Sequence, residues 1–335
     1  MLLSSSPNSY TRADTRKIML AVIIALMPAT VYGVVLFGVR ALLLILTSVA
    51  AAVAAEAGFR ALIKEDIRVG DLSAVVTGLL IALISPPSLP LWMAALGSII
   101  AIVFAKEFFG GLGANPFNPA LIGRAILLMS FPAAMTTWHA PFGAIVDATT
   151  SATPLNMVKL GGTIADVGVK IAGSTDYGAT LWTLFIGNRA GSIGESSILL
   201  LLVGFAFLLS LRVIQFVTPL AMVGTAFILS WVLGMDPVFG VLSGGLLFGA
   251  VFMATDYASS PITPLGKLIF GAGAGAITVI IRKYGGFPEG VTYGILMMNA
   301  ISPMLDKLRV KKYGYVPAAK PLAAAPAKPV KEAGK

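Results

Sequence analysis

The chain has 335 residues, 57% of them hydrophobic and only 12% charged, with a formal net charge of +9. A soluble domain is about 45–50% apolar and about 25% charged, so a soluble fold is excluded and lipid must cover part of the surface. The absence of cysteine and the single histidine, His139, exclude thiolate-ligated iron–sulfur clusters, a bis-histidine haem and a His-rich metal site on this chain, and dispersed basic residues argue against nucleic-acid binding.

Residues 1–17 read as a polar segment bearing Arg12, Arg16 and Lys17, with no cleavable signal. Apolar stretches approaching the roughly 20 residues of a spanning helix then recur near 18–38, 41–58, 71–87, 90–108 and 119–137. Residues 138–195 differ: they are rich in Gly, Thr, Ser and Asp and read as a loop between the fifth and sixth spans. Further spans are expected near 196–211, 213–234, 237–254, 265–281 and 288–306, and residues 307–335 form a basic Pro/Ala/Lys tail with no core-forming pattern.

The expected fold is therefore all-α and polytopic, with about ten transmembrane helices. The two halves, 18–137 and 196–306, resemble each other. Gly78-Leu79-Leu80 matches Gly245-Leu246-Leu247, and each is followed by a Ser/Pro-rich break, Ser85–Pro90 and Ser259–Pro264. Each break leads into a span ending in Phe109-Gly110-Gly111 or Tyr284-Gly285-Gly286. Five spans per repeat is odd, so the halves face opposite ways: two inverted five-helix repeats, the architecture that builds a midplane site from broken helices.

Charge sets the expected orientation. Arg12, Arg16, Lys17, Arg60, Lys64, Arg68, Lys106, Arg212, Lys267 and Lys307 collect on the side of the two termini, which makes both termini cytoplasmic and the 138–195 loop extracytoplasmic. Arg282 and Lys283 fall on the other side and go against the rule.

The run Asp147-Ala148-Thr149-Thr150-Ser151-Ala152-Thr153-Pro154-Leu155 admits two readings. One is a polar turn before Pro154, since Ser, Thr and Asp bond their own backbone. The other is a modification site, a hydroxyl that accepts a phosphoester beside an acid. The run resembles the flavin-attachment motif Asp-x-x-(Ser/Thr)-(Gly/Ser)-Ala-Thr of the Rnf complex D subunit and of the related B subunit of the sodium-translocating NADH:quinone reductase. Lys17-Ile18-Met19, Asn115-Pro116-Phe117-Asn118-Pro119-Ala120, Gly123-Arg124, Gly187-Asn188-Arg189, Gly191–Glu195, Phe252–Asp256 and Phe287–Gly290 extend the resemblance along nearly the whole chain.

The resemblance implies FMN carried by Thr153 through a phosphoester, and a second, non-covalent riboflavin in the membrane part. It also implies partner subunits A, B, C, E and G, residence in a bacterial or archaeal cytoplasmic membrane, and electron transfer coupled to Na+ or H+ transport within a ferredoxin:NAD oxidoreductase. Asp147, Thr150, Ser151 and Ala152 become recognition residues of the motif. Asn118, Arg124, Gly191, Ser192 and Glu195 become candidate flavin or phosphate contacts. Arg matches phosphate oxygens bidentately, and a Gly-rich run can offer backbone N–H groups. The plainer alternatives are a structural partner for Arg124 and an N-cap of the sixth span at Ser192.

Asp256, at the broken end of the eighth span, is the first ion-path candidate and Glu107 the second, while Glu56 and Asp306 read as interfacial. No catalytic residue and no metal ligand is singled out. The rivals are the quinone reductase B subunit, which a start so close to the first span disfavours, and a small-solute permease or channel, which has no use for the Asp147–Thr153 run.

Overall fold

The computed structural model describes residues 14–66, 69–142 and 152–308. Among them every regular element is helical. The first half holds α1 (Thr15–Phe37), α2 (Val39–Leu62), α3 (Ser73–Leu83), α4 (Leu91–Ala105), α5 (Pro119–Ser130) and α6 (Pro132–Thr136). Three short helices follow, α7 (Pro154–Lys159), α8 (Ile164–Ala172) and α9 (Tyr177–Ile186). The second half holds α10 (Ile198–Ser210), α11 (Val217–Val232), α12 (Pro237–Leu242), α13 (Leu246–Phe248), α14 (Pro264–Tyr284) and α15 (Val291–Leu305).

Four helices are long and apolar enough to cross a membrane unaided: α1, α2, α4 with its 3₁₀ extension to Phe109, and α14. The other spans are shorter, and the sequence shows why. Pro86, Pro87 and Pro90 stop α3 and restart the chain as α4, because proline lacks an N–H and forces the preceding residue out of the helical region. Pro132 does the same to Phe131, splitting the expected 119–137 span into α5 and α6. The expected 237–254 span is divided three ways. α12 ends just before Gly244, which turns the chain through the left-handed region (φ 67°), α13 is a single turn, and Gly249–Met253 forms a π-helical turn. Such turns concentrate at functional sites. The 138–195 segment, expected as a loop, carries α7–α9; α8 opens with a capping box in which hydrogen bonds from Thr163 hold the Asp166 carboxyl below its ordinary range.

α2 packs chiefly on α3 and α4, and α11 packs chiefly on α14. α5 lies on α4 and α15 lies on α14, each through a glycine. A Cβ on Gly123 would come within 2.6 Å of the Gly97 carbonyl, and one on Gly294 within 2.7 Å of the Ala274 carbonyl. One continuous apolar core runs through both halves, from Leu26 and Ile81 to Phe248, Phe270 and Ile295. Large apolar residues such as Val31, Val35, Leu46, Trp231 and Met297 face outward. That surface suits lipid rather than water, so the chain is a polytopic membrane protein.

Candidate functional site

A helix that stops inside a bundle leaves carbonyls without intrahelical partners, and lipid offers none. Here buried arginines supply them. Arg124 on α5 donates Nη1 to the Ile84 carbonyl just past α3 (2.7 Å) and Nη2 to Glu289 Oε2 (2.7 Å). Arg189 donates to the Leu242 carbonyl at the end of α12 (2.6 Å) and to the Glu195 backbone carbonyl (2.8 Å). Arg282 donates to the carbonyls of Gly240 and Ser243. The break in each half is thus closed by cations at helix C-terminal ends, where the macrodipole is negative. Of the two residues that go against the charge rule, Arg282 on α14 is buried against the broken eighth span, and Lys283 donates to the Leu233 carbonyl.

The Arg124–Glu289 contact gives Arg124 the structural partners of its plainer reading: its guanidinium serves a helix-end carbonyl and a carboxylate. It also joins the two halves. Glu195 is buried near this pair, its Oε1 has no hydrogen-bond partner among the described residues, and a Cβ on Gly245 would lie 3.2 Å from its Oε2. Ser192 is fully buried with an unpartnered hydroxyl among the described residues and does not cap the sixth span; Ser197 does, accepting from the Leu200 N–H. Gly191 is buried in the same run.

Thr153 opens α7. Its Oγ1 accepts from the Asn156 N–H (3.2 Å), and Pro154 takes the first helical position. The same N-cap–proline pair starts α5 at Asn118-Pro119, α12 at Asp236-Pro237 and α14 at Thr263-Pro264. Thr153 is only 5% exposed. Ala152 beside it is half-buried. Asp147, Thr150 and Ser151 lie outside the described residues.

The end of the bundle opposite 138–195 holds a partly open cleft between the halves. Ile18, Met19 and Val22 of α1, Leu80 of α3 and Val251 and Phe252 of the π turn form apolar walls, and Asn115, Asn118, Lys106, Thr255 and Asp256 supply polar groups. The Ser259 hydroxyl donates to Asp256 Oδ2 (2.8 Å). Asn118 works three ways. Its Oδ1 caps Ala120 N, its Nδ2 donates to the Met253 carbonyl (3.3 Å), and its backbone N–H meets the Asn299 amide oxygen (2.9 Å) when that amide is oriented to receive it. The broken eighth span is therefore pinned to the first half beside the cleft.

Behind the cleft lies a cluster that the sequence does not reveal as one. Lys106 is 1% exposed, and its ammonium donates to Glu56 Oε1 (2.8 Å) and Ser73 Oγ (2.6 Å). Arg60 pairs with Glu107 (3.1 Å) alongside. Glu56, expected to be interfacial, is fully buried; Glu107, expected on an ion path, is locked in an ion pair; Asp306 accepts the Ile262 and Thr263 N–H groups ahead of α14. The signal was present in the composition: Glu56, Arg60, Lys106 and Glu107 interrupt strongly apolar helices, where an ionisable residue needs a partner.

The profile of the NQR2, RnfD, RnfE family matches residues 2–314. The chain belongs to that family. It is 46% identical over 312 residues to the D subunit of the proton-translocating ferredoxin:NAD(+) oxidoreductase complex of Clostridium ljungdahlii, covering 91% of this chain and 93% of that one. The D subunit of the Na(+)-translocating ferredoxin:NAD(+) oxidoreductase complex of Acetobacterium woodii is 42% identical over 318 residues, covering 94% and 95%. The D subunit of the ion-translocating oxidoreductase complex of Stutzerimonas stutzeri is 40% identical over 343 residues, covering 94% and 96%. Family membership spans both halves and the segment between them, so the polar clusters, the cleft and the Thr153 cap all lie within the matched region.

Proposed function

We propose that this chain is the D-type membrane subunit of an Rnf-type ferredoxin:NAD oxidoreductase, an ion-translocating complex of the cytoplasmic membrane whose other members are subunits A, B, C, E and G. Thr153 would carry FMN as a phosphoester, and the cleft between the halves would take riboflavin. A flavin, when bound, accepts and releases one or two electrons. The observation that carries the reading is the placement of Thr153, within the family match over residues 2–314, at the N-terminal end of α7 with a backbone N–H on its hydroxyl oxygen. That oxygen keeps its acceptor role once esterified, and a helix start favours an adjacent anion.

The cleft suits a flavin ring by its own chemistry. Mostly apolar clefts with a few convergent polar groups are the usual small-molecule seats. Leu80, Val251 and Phe252 give apolar walls, while the Asn115 amide and the Asp256 carboxyl offer donors and acceptors of the kind an isoalloxazine edge presents. The residues' own work is to exclude water and to fix the two halves around the cleft through Asn118. The names of the three relatives favour a D subunit over the quinone reductase B subunit. Two of those names specify different ions, H+ and Na+, at 46% and 42% identity, so overall similarity does not choose the ion.

Ultraviolet fluorescence of the denatured band on a gel tests the reading. The wild-type band is expected to fluoresce and Thr153→Val to be dark. The valine also removes an N-cap, at about 1 kcal/mol, a local loss that leaves the protein in the membrane. Thr153→Ser keeps a hydroxyl and retains flavin. Peptide mass mapping that finds FMN on Thr149 or Thr150, with Thr153 bare, would refute the assignment.

A further inference from the structure

An ammonium group has three N–H donors and no acceptor. On Lys159, the last residue of α7, each donor finds its own carbonyl: Gly285 (2.5 Å), Phe287 (2.6 Å) and Ile281 (3.4 Å). These carbonyls belong to the C-terminal end of α14 and the turn that follows, where the helix dipole is negative and lysine is favoured. The contacts span sequence separations of 122 to 128 residues, so they are tertiary and not part of the local folding of α7.

α7 is short. Six residues at about 1.5 Å each place Lys159 roughly 9 Å along the helix from the Thr153 cap. A second contact docks the same helix: a Cβ on Gly244, in the broken eighth span, would lie 3.4 Å from Leu155 Cδ2. The turn that receives Lys159 also carries Glu289, whose carboxylate takes Arg124 from the other half. One turn thus holds both the segment that starts at Thr153 and the bridge between the halves.

We propose that Lys159 is the positioning residue that fixes the flavin-bearing segment to the α14–α15 turn, and so holds the flavin on Thr153 at a set place relative to the membrane bundle. The proposal rests on the flavin reading of Thr153 given above. Lys170, exposed on neighbouring α8, is a charge-matched control.

The test uses the purified complex with Lys159→Met, Lys159→Arg and Lys170→Met. Denatured-gel fluorescence reports attachment; the anisotropy of the covalent flavin and its rate of reduction in the native complex report positioning. Lys159→Met is expected to keep a fluorescent band, to lower the anisotropy and to slow flavin reduction about tenfold or more, since charge-assisted hydrogen bonds are lost together. Lys159→Arg, which keeps donors, restores much of both, and Lys170→Met matches wild type. A Lys159→Met complex with attached flavin and wild-type anisotropy and rate overturns the proposal. If the wild-type band is dark, the flavin reading fails separately, and chymotrypsin then tests the clamp. Faster cleavage within 154–187 in Lys159→Met than in Lys170→Met supports it, and equal rates sink it. Should Lys159→Met fail to assemble, recovery by Lys159→Arg supports the clamp and failure of both variants overturns it.

Discussion

Arg124→Leu isolates the energetics of the bridge between the halves. The substitution strands two groups. The Ile84 carbonyl at the end of α3 loses its side-chain donor, at about 1–3 kcal/mol for an unsatisfied buried acceptor. Glu289 loses its 2.7 Å partner with only 16% of its side chain exposed, and breaking a buried pair from one side costs about 3–5 kcal/mol. The lower end of that range applies to Glu289 because it keeps some solvent contact, which gives about 4–6 kcal/mol in all. Arg124→Leu combined with Glu289→Leu removes both charges and leaves mainly the orphaned carbonyl, so the double variant is expected to regain at least half of the loss. Arg124→Lys falls between, because one ammonium cannot reproduce the fork that reaches carbonyl and carboxylate at once. Denaturant unfolding in mixed micelles, followed by circular dichroism, measures wild type, Arg124→Leu, Glu289→Leu, the double variant and Arg124→Lys. Strict additivity of the two leucine substitutions, or an Arg124→Leu loss below about 0.5 kcal/mol, would refute the bridge.

Lys106→Met leaves Glu56 fully buried without its ammonium, and a loss of about 3–5 kcal/mol is expected in the same assay, largely reversed when Glu56→Gln is added. A cysteine at Ser174, between α8 and α9, should react with an impermeant thiol reagent added outside whole cells; labelling only after lysis would invert the topology, and the absence of native cysteine keeps the background clean. Burial and the hydrogen bond to Asp236 push the Tyr177 hydroxyl up to about 12. Because the folded value lies above the unfolded one, the stabilisation is complete below about pH 10 and is lost as pH rises through about 12. Tyr177→Phe should remove a tyrosinate absorbance step near pH 12, and loss of a step near pH 10 instead would show that this hydroxyl is not raised.

The sequence by itself determined the class of protein, the order of its apolar segments and the family. Composition demands lipid, prolines at 86, 87, 90 and 132 dictate where helices must stop, and the N-cap–proline pairs dictate where they restart. These are local effects of backbone geometry, and a local code is legible in a string. Tertiary structure decided the partners. Arg124 meets Glu289 across 165 residues, Lys159 meets Gly285 across 126, and Lys106 meets Glu56 across 50. Nothing near Lys159 in the chain distinguishes a clamp from an interfacial charge, and the apolar run around Lys106 demands a partner without saying that it is Glu56. Thr153 shows the same division. Its motif is readable, but its burial and its bond to the Asn156 N–H follow from how α7 forms and packs. The free energy of a buried charge depends on what the fold brings within about 3 Å of it, and only the assembled bundle sets that distance.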